Sequence, residues 1–480
     1  MIAAPGSSDP RNGVDSAIHY NAGYVWMISS VAALGGLLFG YDWVVIGGAK
    51  PFYESYFHLT SETAIGWANS CALIGCLAGS ILSGALSERF GRKKLLILAA
   101  LLFAISSVLT GWAFTFTAFV AWRIAGGIAI GIASNVSPTY IAEVSPAPWR
   151  GRLVTLNQVT IVVGILAAQI VNWLIAERVA DGATQEMIRQ SWDGQYGWRW
   201  MFIAVALPSI AFLIGAIFIP ESPRWLARRG NESQVLRTLA RIGGERYSEI
   251  ALREIRETLA GDARAQSQSG SELRALLAPR VRKILGIGIA LAVLQQWSGI
   301  NVIFNYAEDI YRSAGYGISG ILFNIVITGT INLVFTLVAL GLVDRVGRRA
   351  LMLFGALGIG ISHALLGFTY RAGIQGLPIL LLTLSTIGFY AVSLAPVTWV
   401  LISELFPNRI RSLGVSVAVS ALWMASFILT FTFPILERAV GSAGTFWTYA
   451  GICFAGFLFV LGAVPETKGK SLEQIERELA

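Results

Sequence analysis

Residues 88–94 read Glu-Arg-Phe-Gly-Arg-Lys-Lys, and residues 344–349 read Asp-Arg-Val-Gly-Arg-Arg. Two other motifs repeat in the same order: 143–150, Glu-Val-Ser-Pro-Ala-Pro-Trp-Arg, returns at 404–411 as Glu-Leu-Phe-Pro-Asn-Arg-Ile-Arg, and Pro-Glu-Ser at 220 returns as Pro-Glu-Thr at 465. Three motifs in one order at similar offsets indicate that the chain is a duplicated unit.

The composition between these motifs is that of a membrane protein. Of the 480 residues, 55% are hydrophobic and only 13% are charged, and the mean hydropathy is +0.64. A soluble surface needs about a quarter charged residues, whereas a membrane helix needs roughly 20 apolar residues in a row. The apolar runs predict twelve spans, near 24–49, 63–87, 93–115, 117–141, 152–176, 199–219, 283–310, 318–343, 350–370, 376–405, 411–435 and 445–464.

We therefore predict an all-α membrane protein with two pseudo-symmetric six-helix bundles, at 24–220 and 283–464. The charged stretch 221–282 is too polar to span and contains helix-like runs, so we expect a cytoplasmic helical linker. The polar N-terminus, 1–23, lacks the pattern of a cleaved signal peptide, and 465–480 forms a short tail.

The net charge of +8 is a topology signal. Of the 36 Lys and Arg residues, 28 fall on the side of the two termini, seven on the other side, including Lys50, and Arg123 lies inside a span. Basic residues collect on the cytoplasmic side, so both termini are predicted to be cytoplasmic in a multi-pass protein of the cell membrane. The lipid bilayer then accounts for the charge, and nucleic acid is excluded as a partner.

No enzyme chemistry is indicated. The three cysteines lie in apolar segments without metal-ligand spacing to any histidine, and we find no nucleophile with a base, no metal cluster and no phosphate-binding loop. We expect neither a cofactor nor a metal.

Two charges, Asp42 and Arg123, lie deep in predicted spans, where each costs several kcal/mol unless it is paired or hydrated. Both are ~10 Å below the predicted outer ends, so they can meet. One interpretation is a proton switch, in which Asp42 is ionised beside Arg123 and takes up a proton when the pair weakens. The alternative is a static ion pair that holds two helices together.

Several spans also carry neutral amides, which can hydrogen-bond a polar solute: Gln158, Gln295, Gln296, Asn301, Asn305 and Asn332. Some could simply join helices, but Gln295 and Gln296 stand beside a predicted helix break at Ser298-Gly299, which favours a cavity. Trp399 and Trp423 could supply an aromatic face, and Trp399 follows Pro396, which permits a kink in its helix. Most of the fifteen Trp residues are expected at interfaces or in packing.

The repeated motifs, together with Gly35-Gly-Leu-Leu-Phe-Gly-Tyr-Asp42, Pro220-Glu-Ser-Pro-Arg224, Gln295-Gln-Trp-Ser-Gly-Ile-Asn301 and Pro465-Glu-Thr-Lys-Gly469, resemble the sugar porter family of the major facilitator superfamily. The resemblance runs from Gly35 to the end of the chain. It implies two bundles that rock about one central sugar site, and it is strongest to the bacterial proton-coupled members and the animal glucose facilitators. Proton-coupled members carry an acid at the position of Asp42.

The resemblance also implies sugar contacts, at Gln158, Gln295, Gln296, Asn301, Asn332 and Trp399, with Phe39 lining the site. Four positions depart from the family pattern: Asn305 stands where Tyr is usual, Leu422 and Ser426 where amides are common, and Ile165 where some proton-coupled members have Gln. The edges of the pocket are thus altered, so the sequence does not decide which sugar is bound.

The repeated motifs place acids and bases together at the predicted cytoplasmic ends of both bundles. We expect a cytoplasmic gate of Glu88, Arg92, Glu143, Arg150, Asp344, Arg348, Glu404 and Arg411, pairing across the halves when the protein faces outward. Ordinary anchoring by positive charge would explain the Arg residues but not the acids.

The function predicted from the sequence is proton-coupled symport of a monosaccharide, a hexose, a pentose or a related polyol, by alternating access, with the chain acting as a monomer. A passive facilitator of the same fold is the alternative, and a membrane sugar sensor is a remote one. Sensing would need longer cytoplasmic segments than this chain has.

Overall fold

The computed structural model describes residues 19–177, 183–267, 279–406 and 411–468. Within these ranges the first half contains six helical spans. Spans one to five are single helices, and span six is interrupted near Ala204. Their bounds are Ala22–Phe57, Glu62–Phe90, Arg92–Gly111, Phe116–Val144, Arg150–Ile175, and for span six Trp198–Ile203 with Ala206–Phe218. A short helix, Gln185–Gln190, and a π-helical turn, Asp193–Gly197, precede span six.

The second half repeats this arrangement with more interruptions. Span seven consists of Pro279–Trp297, Ile300–Asn305 and Ala307–Ser313, span eight is Ile318–Val346, span nine is Arg348–Arg371, and span ten is Leu377–Val392 with Leu394–Leu405. Spans eleven and twelve are continuous over Arg411–Ala463 except at Gly441, whose φ of 70° and ψ of 171° break the helix. Eleven described helical stretches are long and apolar enough to cross a membrane; the last contains two spans, which gives twelve.

Glycines allow close contact between the helices of one half. A Cβ atom placed at Gly40 would lie 1.9 Å from the carbonyl oxygen of Ile161, and one at Gly164 would lie 2.0 Å from that of Leu37. Spans one and five therefore touch backbone to backbone, as small residues permit in membrane bundles.

The repeated Gly-Arg motif forms the same sharp turn in both halves. Gly91 and Gly347 have φ values of 96° and 106°, which glycine adopts without steric cost, and each directly precedes a new span. We call the end of the molecule that carries these two turns the motif end, and the opposite end the far end.

Most predicted spans are confirmed, but the predicted end of span one at residue 49 is wrong. The helix continues to Phe57 through Lys50 and Pro51, and Lys50 is buried rather than in a loop. Acidic partners compensate the charge of Lys50, which allows this residue to be buried within the helix. Asp42 consequently lies farther from the end of its helix than predicted.

The segment between the halves is helical, as predicted. It comprises Pro223–Arg228 and Glu232–Ser267, the latter broken at Gly244, where φ is 84°. Parts of the predicted N-terminus (1–23), linker (221–282) and tail (465–480) lie outside the described residues, namely 1–18, 268–278 and 469–480.

Candidate functional site

Asp42 and Arg123 form a buried ion pair between spans one and four, as predicted. Arg123 Nη1 donates to Asp42 Oδ1 at 2.9 Å, and both terminal nitrogens of the guanidinium lie 3.3 Å from the backbone oxygen of Asp42. Each residue is only 3% exposed. Arg123 also lies over the ring of Phe202, 5.4 Å from its centroid. Removing one partner of such a pair costs about 3–5 kcal/mol, because the other charge stays buried and uncompensated.

The second carboxylate oxygen of Asp42 has no hydrogen-bond partner in the described structure. A Cβ atom at Gly126 would lie 3.2 Å from this Oδ2 and 3.1 Å from the hydroxyl of Ser106, so the absence of a side chain at Gly126 leaves room beside the carboxylate. Asp42 thus has one carboxylate oxygen fixed by Arg123 and one without a hydrogen-bond partner among the described residues.

A chain of hydrogen-bonded polar side chains joins spans seven, ten and eleven. Gln295 Nε2 lies 3.3 Å from the backbone oxygens of Leu394 and Ala395, and Gln296 Nε2 donates to Gln295 Oε1 at 3.2 Å. Asn301 Nδ2 then contacts Gln296 Oε1 and donates to Ser426 Oγ at 2.8 Å. Three of the predicted amides are therefore in mutual contact, and Ser426 takes part in their network.

The helix break predicted at Ser298-Gly299 is confirmed, and span ten is interrupted close to Pro396, where a kink was expected. Span seven is interrupted at Gly299, which has a φ of 87°, and span ten is interrupted at Ser393, three residues before Pro396. Irregular backbone at membrane depth is tolerated where it is buried in protein or lines a polar cavity. The Gln295 side chain donates hydrogen bonds to the backbone carbonyl groups that follow the break in span ten.

Two of the predicted aromatic residues, Phe39 and Trp423, pack against each other across the two halves. Phe39 of span one packs on Trp423 of span eleven, with ring centroids 5.8 Å apart, and Trp423 Nε1 has no hydrogen-bond partner among the described residues. Trp399 is half-buried. An apolar ring face beside an unused N–H suits a molecule that has both C–H and hydroxyl surfaces.

The remaining predicted amides lie apart from this chain. Gln158 is half-buried and Asn332 is buried, and within the described residues no hydrogen bond connects either of them to Gln295, Gln296 or Asn301. Asn305 is buried one helical turn beyond Asn301. Its Cα would lie 3.4 Å from a Cβ atom at Gly47, and its Oδ1 has no hydrogen-bond partner in the described parts of the chain.

At the motif end, the repeated charges pair within each half. Arg92 contacts Glu143 through Nη2 and Nε, both at 3.0 Å, and contacts Glu88 at 3.0 Å. In the second half Arg348 Nη2 lies 3.4 Å from Glu404 Oε1. The ion pairs described around Arg92 and Arg348 thus each stay within one half, the arrangement expected when pairs across the halves are separated in an inward-facing carrier.

Three members of the predicted gate, Arg150, Asp344 and Arg411, are not in the described ion pairs. Arg150 begins span five and is exposed, whereas Glu143 is engaged by Arg92 and by the hydroxyl of Ser222. The side chains of Asp344 and Arg411 lie outside the described residues.

Glu221 and Glu466 were not among the predicted site residues, although both stand in the repeated Pro-Glu motif. Glu221 Oε1 accepts hydrogen bonds from the backbone N–H groups of Arg92 and Lys93, at 2.9 and 3.1 Å, and Glu466 accepts from those of Arg348 and Arg349, at 2.9 and 3.1 Å. Each carboxylate thus caps the first turn of a span, where unpaired N–H groups and the helix dipole favour an anion. Recurrence of the Pro-Glu motif after the last span of each half was the available signal.

The cap has an electrostatic consequence at Glu466, which follows span twelve. Partial burial alone would raise the pKa of this carboxyl, but hydrogen bonds from the N–H groups of Lys468, Arg348 and Arg349 outweigh it and hold the pKa below its usual value.

Solved structures of the xylose transporter XylE from E. coli share this architecture. A partially occluded inward-open structure superposes with a TM-score of 0.82 at 36% sequence identity, covering 94% of this chain and 100% of the other. An inward-open structure gives 0.81, and a complex with 6-bromo-6-deoxy-D-glucose gives 0.76. The chain therefore has the major facilitator fold and is a transporter, not an enzyme.

The family follows from the sequence comparison. The model described as "Sugar (and other) transporter" matches residues 28–479, and the chain belongs to this family. Among its relatives, the D-xylose-proton symporter of Escherichia coli K12 is 37% identical over 95% of this chain and 96% of the relative. The arabinose-proton symporter of Bacillus subtilis is 38% identical (95% and 96%), and the glucose transport protein of Synechocystis is 40% identical (95% and 97%).

Proposed function

We propose that this chain carries a monosaccharide, a hexose, a pentose or a related polyol, across the cell membrane together with a proton. The observation that carries the proposal is the buried Asp42–Arg123 pair, in which Asp42 Oδ2 is unpartnered and stands beside the open space at Gly126. The proton-symporter relatives, at 37 and 38% identity over nearly the whole chain, support it.

Asp42 is the proton-coupling acid in this mechanism and Arg123 is the residue that positions it. A proton on Oδ2 removes the charge that compensates Arg123 and leaves one buried cation, which costs several kcal/mol. Proton uptake is therefore coupled to a rearrangement that gives the guanidinium water or another acceptor. Rocking of one half against the other supplies such a rearrangement.

The sugar site lies between the halves. Gln295, Gln296 and Asn301 provide the amide donors and acceptors, and Phe39, Trp399 and Trp423 provide ring faces for the C–H surface of the sugar. Gln158, Asn305 and Asn332 reach the same sugar in other states of the cycle. The side chains of Gln295, Gln296 and Asn301 are hydrogen-bonded to one another, so sugar binding exchanges these internal bonds for bonds to hydroxyls.

The carrier works as a monomer of two bundles, 24–220 and 283–464, joined by the linker 221–282, with both termini and the motif end in the cytoplasm. The excess of Lys and Arg on that side supports the orientation. The acid and base clusters around Arg92 and Arg348 then form the cytoplasmic gate, together with Arg150 and Arg411, and they are separated in the inward-facing state.

Uptake of a panel of labelled pentoses, hexoses and polyols into proteoliposomes, with and without an imposed pH gradient, tests the proposal. Symport predicts accumulation of one or more sugars above the external concentration only with the gradient, since ~100 mV supplies about 2.3 kcal/mol per charge. In the Asp42→Asn variant, uphill uptake should be lost while exchange of labelled for unlabelled sugar continues. Equal uptake with and without the gradient would instead identify a passive facilitator.

A further inference from the structure

The two halves are in close backbone contact at the far end. A Cβ atom at Gly47 would lie 2.3 Å from the carbonyl oxygen of Phe304, and one at Gly66 would lie 2.3 Å from that of Phe431. Gly47 and Gly66 belong to the first half, whereas Phe304 and Phe431 belong to the second. At these two places the interface is too close for any side chain larger than hydrogen, so the far end is closed.

A buried lysine lies across this closed interface. Lys50 of span one is 2% exposed, and its Nζ lies 2.9 Å from Glu308 and 2.9 Å from Asp309, both in span seven of the other half. Glu54, one turn further along span one, lies 3.3 Å from the same nitrogen. Among the described ion pairs, Lys50 thus has two partners across the interface and one on its own helix.

Carboxylates outnumber cations around Lys50, even with Lys50 included. A cleft of about 340 Å³ opens beside it between the two halves, and its lining includes five carboxylates, Glu54, Glu62, Glu308, Asp309 and Glu437. The other cations that line it are Arg312, which contacts Glu308 on its own segment, and Arg438. Acids therefore come from both halves, and without Lys50 closure would bring Glu54 up to Glu308 and Asp309 with no cation between them.

The described ion pairs at the two ends differ in whether they join one half of the protein to the other. At the motif end the Arg92–Glu143 and Arg348–Glu404 pairs join residues of one half, whereas at the far end Lys50 joins one half to the other. The TM-scores of 0.82 and 0.81 against the two inward-open structures agree with a closed far end.

We propose that Lys50 is the latch of the far end: its buried ion pairs with Glu308 and Asp309 hold the inward-facing state, and each transport cycle breaks and remakes them. Lys50 thereby sets the equilibrium between the two facing states without contacting the sugar. The inference rests on the proposed function only for the existence of two such states.

A second ion pair across the far end provides a contrast within the same protein. Arg438 of the second half contacts Glu62 of the first, but the Arg438 side chain is 72% exposed. An exposed pair of this kind contributes little because water and salt screen it, whereas removing one partner of a buried pair leaves an uncompensated charge. Loss of Lys50 should therefore open the far end, and loss of Arg438 should not.

The test is a distance measurement between the halves at the far end. Spin labels are placed on cysteines introduced at Met187 and Ile374, both exposed and on different halves, after the three buried cysteines are replaced by alanine. Double electron–electron resonance in lipid nanodiscs then gives the populations of closed and open far ends. The variants compared are Lys50→Met, Lys50→Arg and Arg438→Ala.

We expect Lys50→Met to shift the ratio of long to short distances by on the order of tenfold or more, while Lys50→Arg and Arg438→Ala stay near the parent ratio. A parent-like distribution in folded Lys50→Met would overturn the proposal. If Lys50→Met does not fold, Glu308→Gln combined with Asp309→Asn removes the same cross-half attraction and should give the same shift; parent-like distances there would equally overturn it. No transport is measured, so a failure of proton coupling would leave these results unaffected.

Discussion

Glu221 occupies the space that a side chain at Gly91 would need. A Cβ atom at Gly91 would lie 2.2 Å from Glu221 Oε2, and at the equivalent turn of the second half a Cβ atom at Gly347 would lie 2.7 Å from Glu466 Oε2. The glycine and the acid, 130 residues apart in the first half, are therefore parts of one structure: the glycine makes the turn with a positive φ, and the acid caps the helix that follows it.

This relationship predicts that Gly91→Ala destabilises the protein. The new Cβ atom would displace the Glu221 cap, and alanine at a φ of 96° is itself strained by about 1–3 kcal/mol. We expect a lower thermal unfolding midpoint in detergent and reduced yield. Gly84→Ala is the matched control, because no described atom lies within 4 Å of a Cβ atom there and the residue belongs to the span that ends just before Gly91. Equal midpoints for the two variants would contradict the proposed cap geometry.

The cap at Glu466 predicts a pH-dependent contribution to stability. Its folded pKa is below the ordinary value of 4.5, so ionised Glu466 stabilises the folded state fully above that value, and the stabilisation is lost as the pH falls through the lowered folded pKa. Glu466→Gln should therefore lower the unfolding midpoint at pH 7, and the gap to the parent should narrow as the pH falls below about 4.5. The exposed Glu257→Gln on the linker serves as a control and should leave the midpoint unchanged at both pH values. A gap that is constant with pH would refute the electrostatic part of the cap.

The Asn301–Ser426 contact predicts that substitutions at these two residues weaken sugar binding to different extents. Asn301→Ala removes an amide that we place against the sugar, so the dissociation constant should rise by roughly 10- to 100-fold, the effect of losing one or two buried hydrogen bonds. Ser426→Ala removes only the internal acceptor of Asn301 and frees an N–H for the sugar, so its effect on affinity should be smaller. Quenching of Trp fluorescence by the transported sugar measures both values. Similar losses in the two variants would show that Asn301 acts by holding span eleven rather than by binding sugar.

Much of this architecture could be predicted because membrane helices obey simple rules. The length of apolar runs, the repeated turn motifs and the buried Asp42–Arg123 charges each have a direct physical meaning in the sequence. Lys50 was misplaced for the same reason: a charge followed by proline usually marks the end of a span, and its partners Glu308 and Asp309 lie more than 250 residues away. Contacts of that kind depend on how the two halves meet, which local pattern does not encode.

The same limit applies to the polar network. The amides at 295, 296 and 301 could be predicted as a group because they flank one helix break. Their link to Ser426 could not, since the sequence showed it only as a departure from the family pattern. The caps at Glu221 and Glu466 were visible as a repeat, but their role required the positions of the two turns.

The Gly126→Ala variant tests whether proton coupling needs the open space beside the unpartnered oxygen of Asp42. A methyl group there would lie 3.1–3.2 Å from Ser106 Oγ and Asp42 Oδ2, both ends of side chains that can shift by a few tenths of an ångström, so Gly126→Ala should fold. It would nevertheless fill the space beside Oδ2, and we expect proton-driven accumulation to fall several-fold while exchange of labelled sugar is largely retained. The neighbouring Gly127→Ala would place its Cβ atom 1.9 Å from the backbone oxygen of Ala72, which cannot move aside, and should instead destabilise the whole bundle. If Gly126→Ala reduces accumulation and exchange equally, the residue acts through helix packing, and the space beside Asp42 is not the route of the proton.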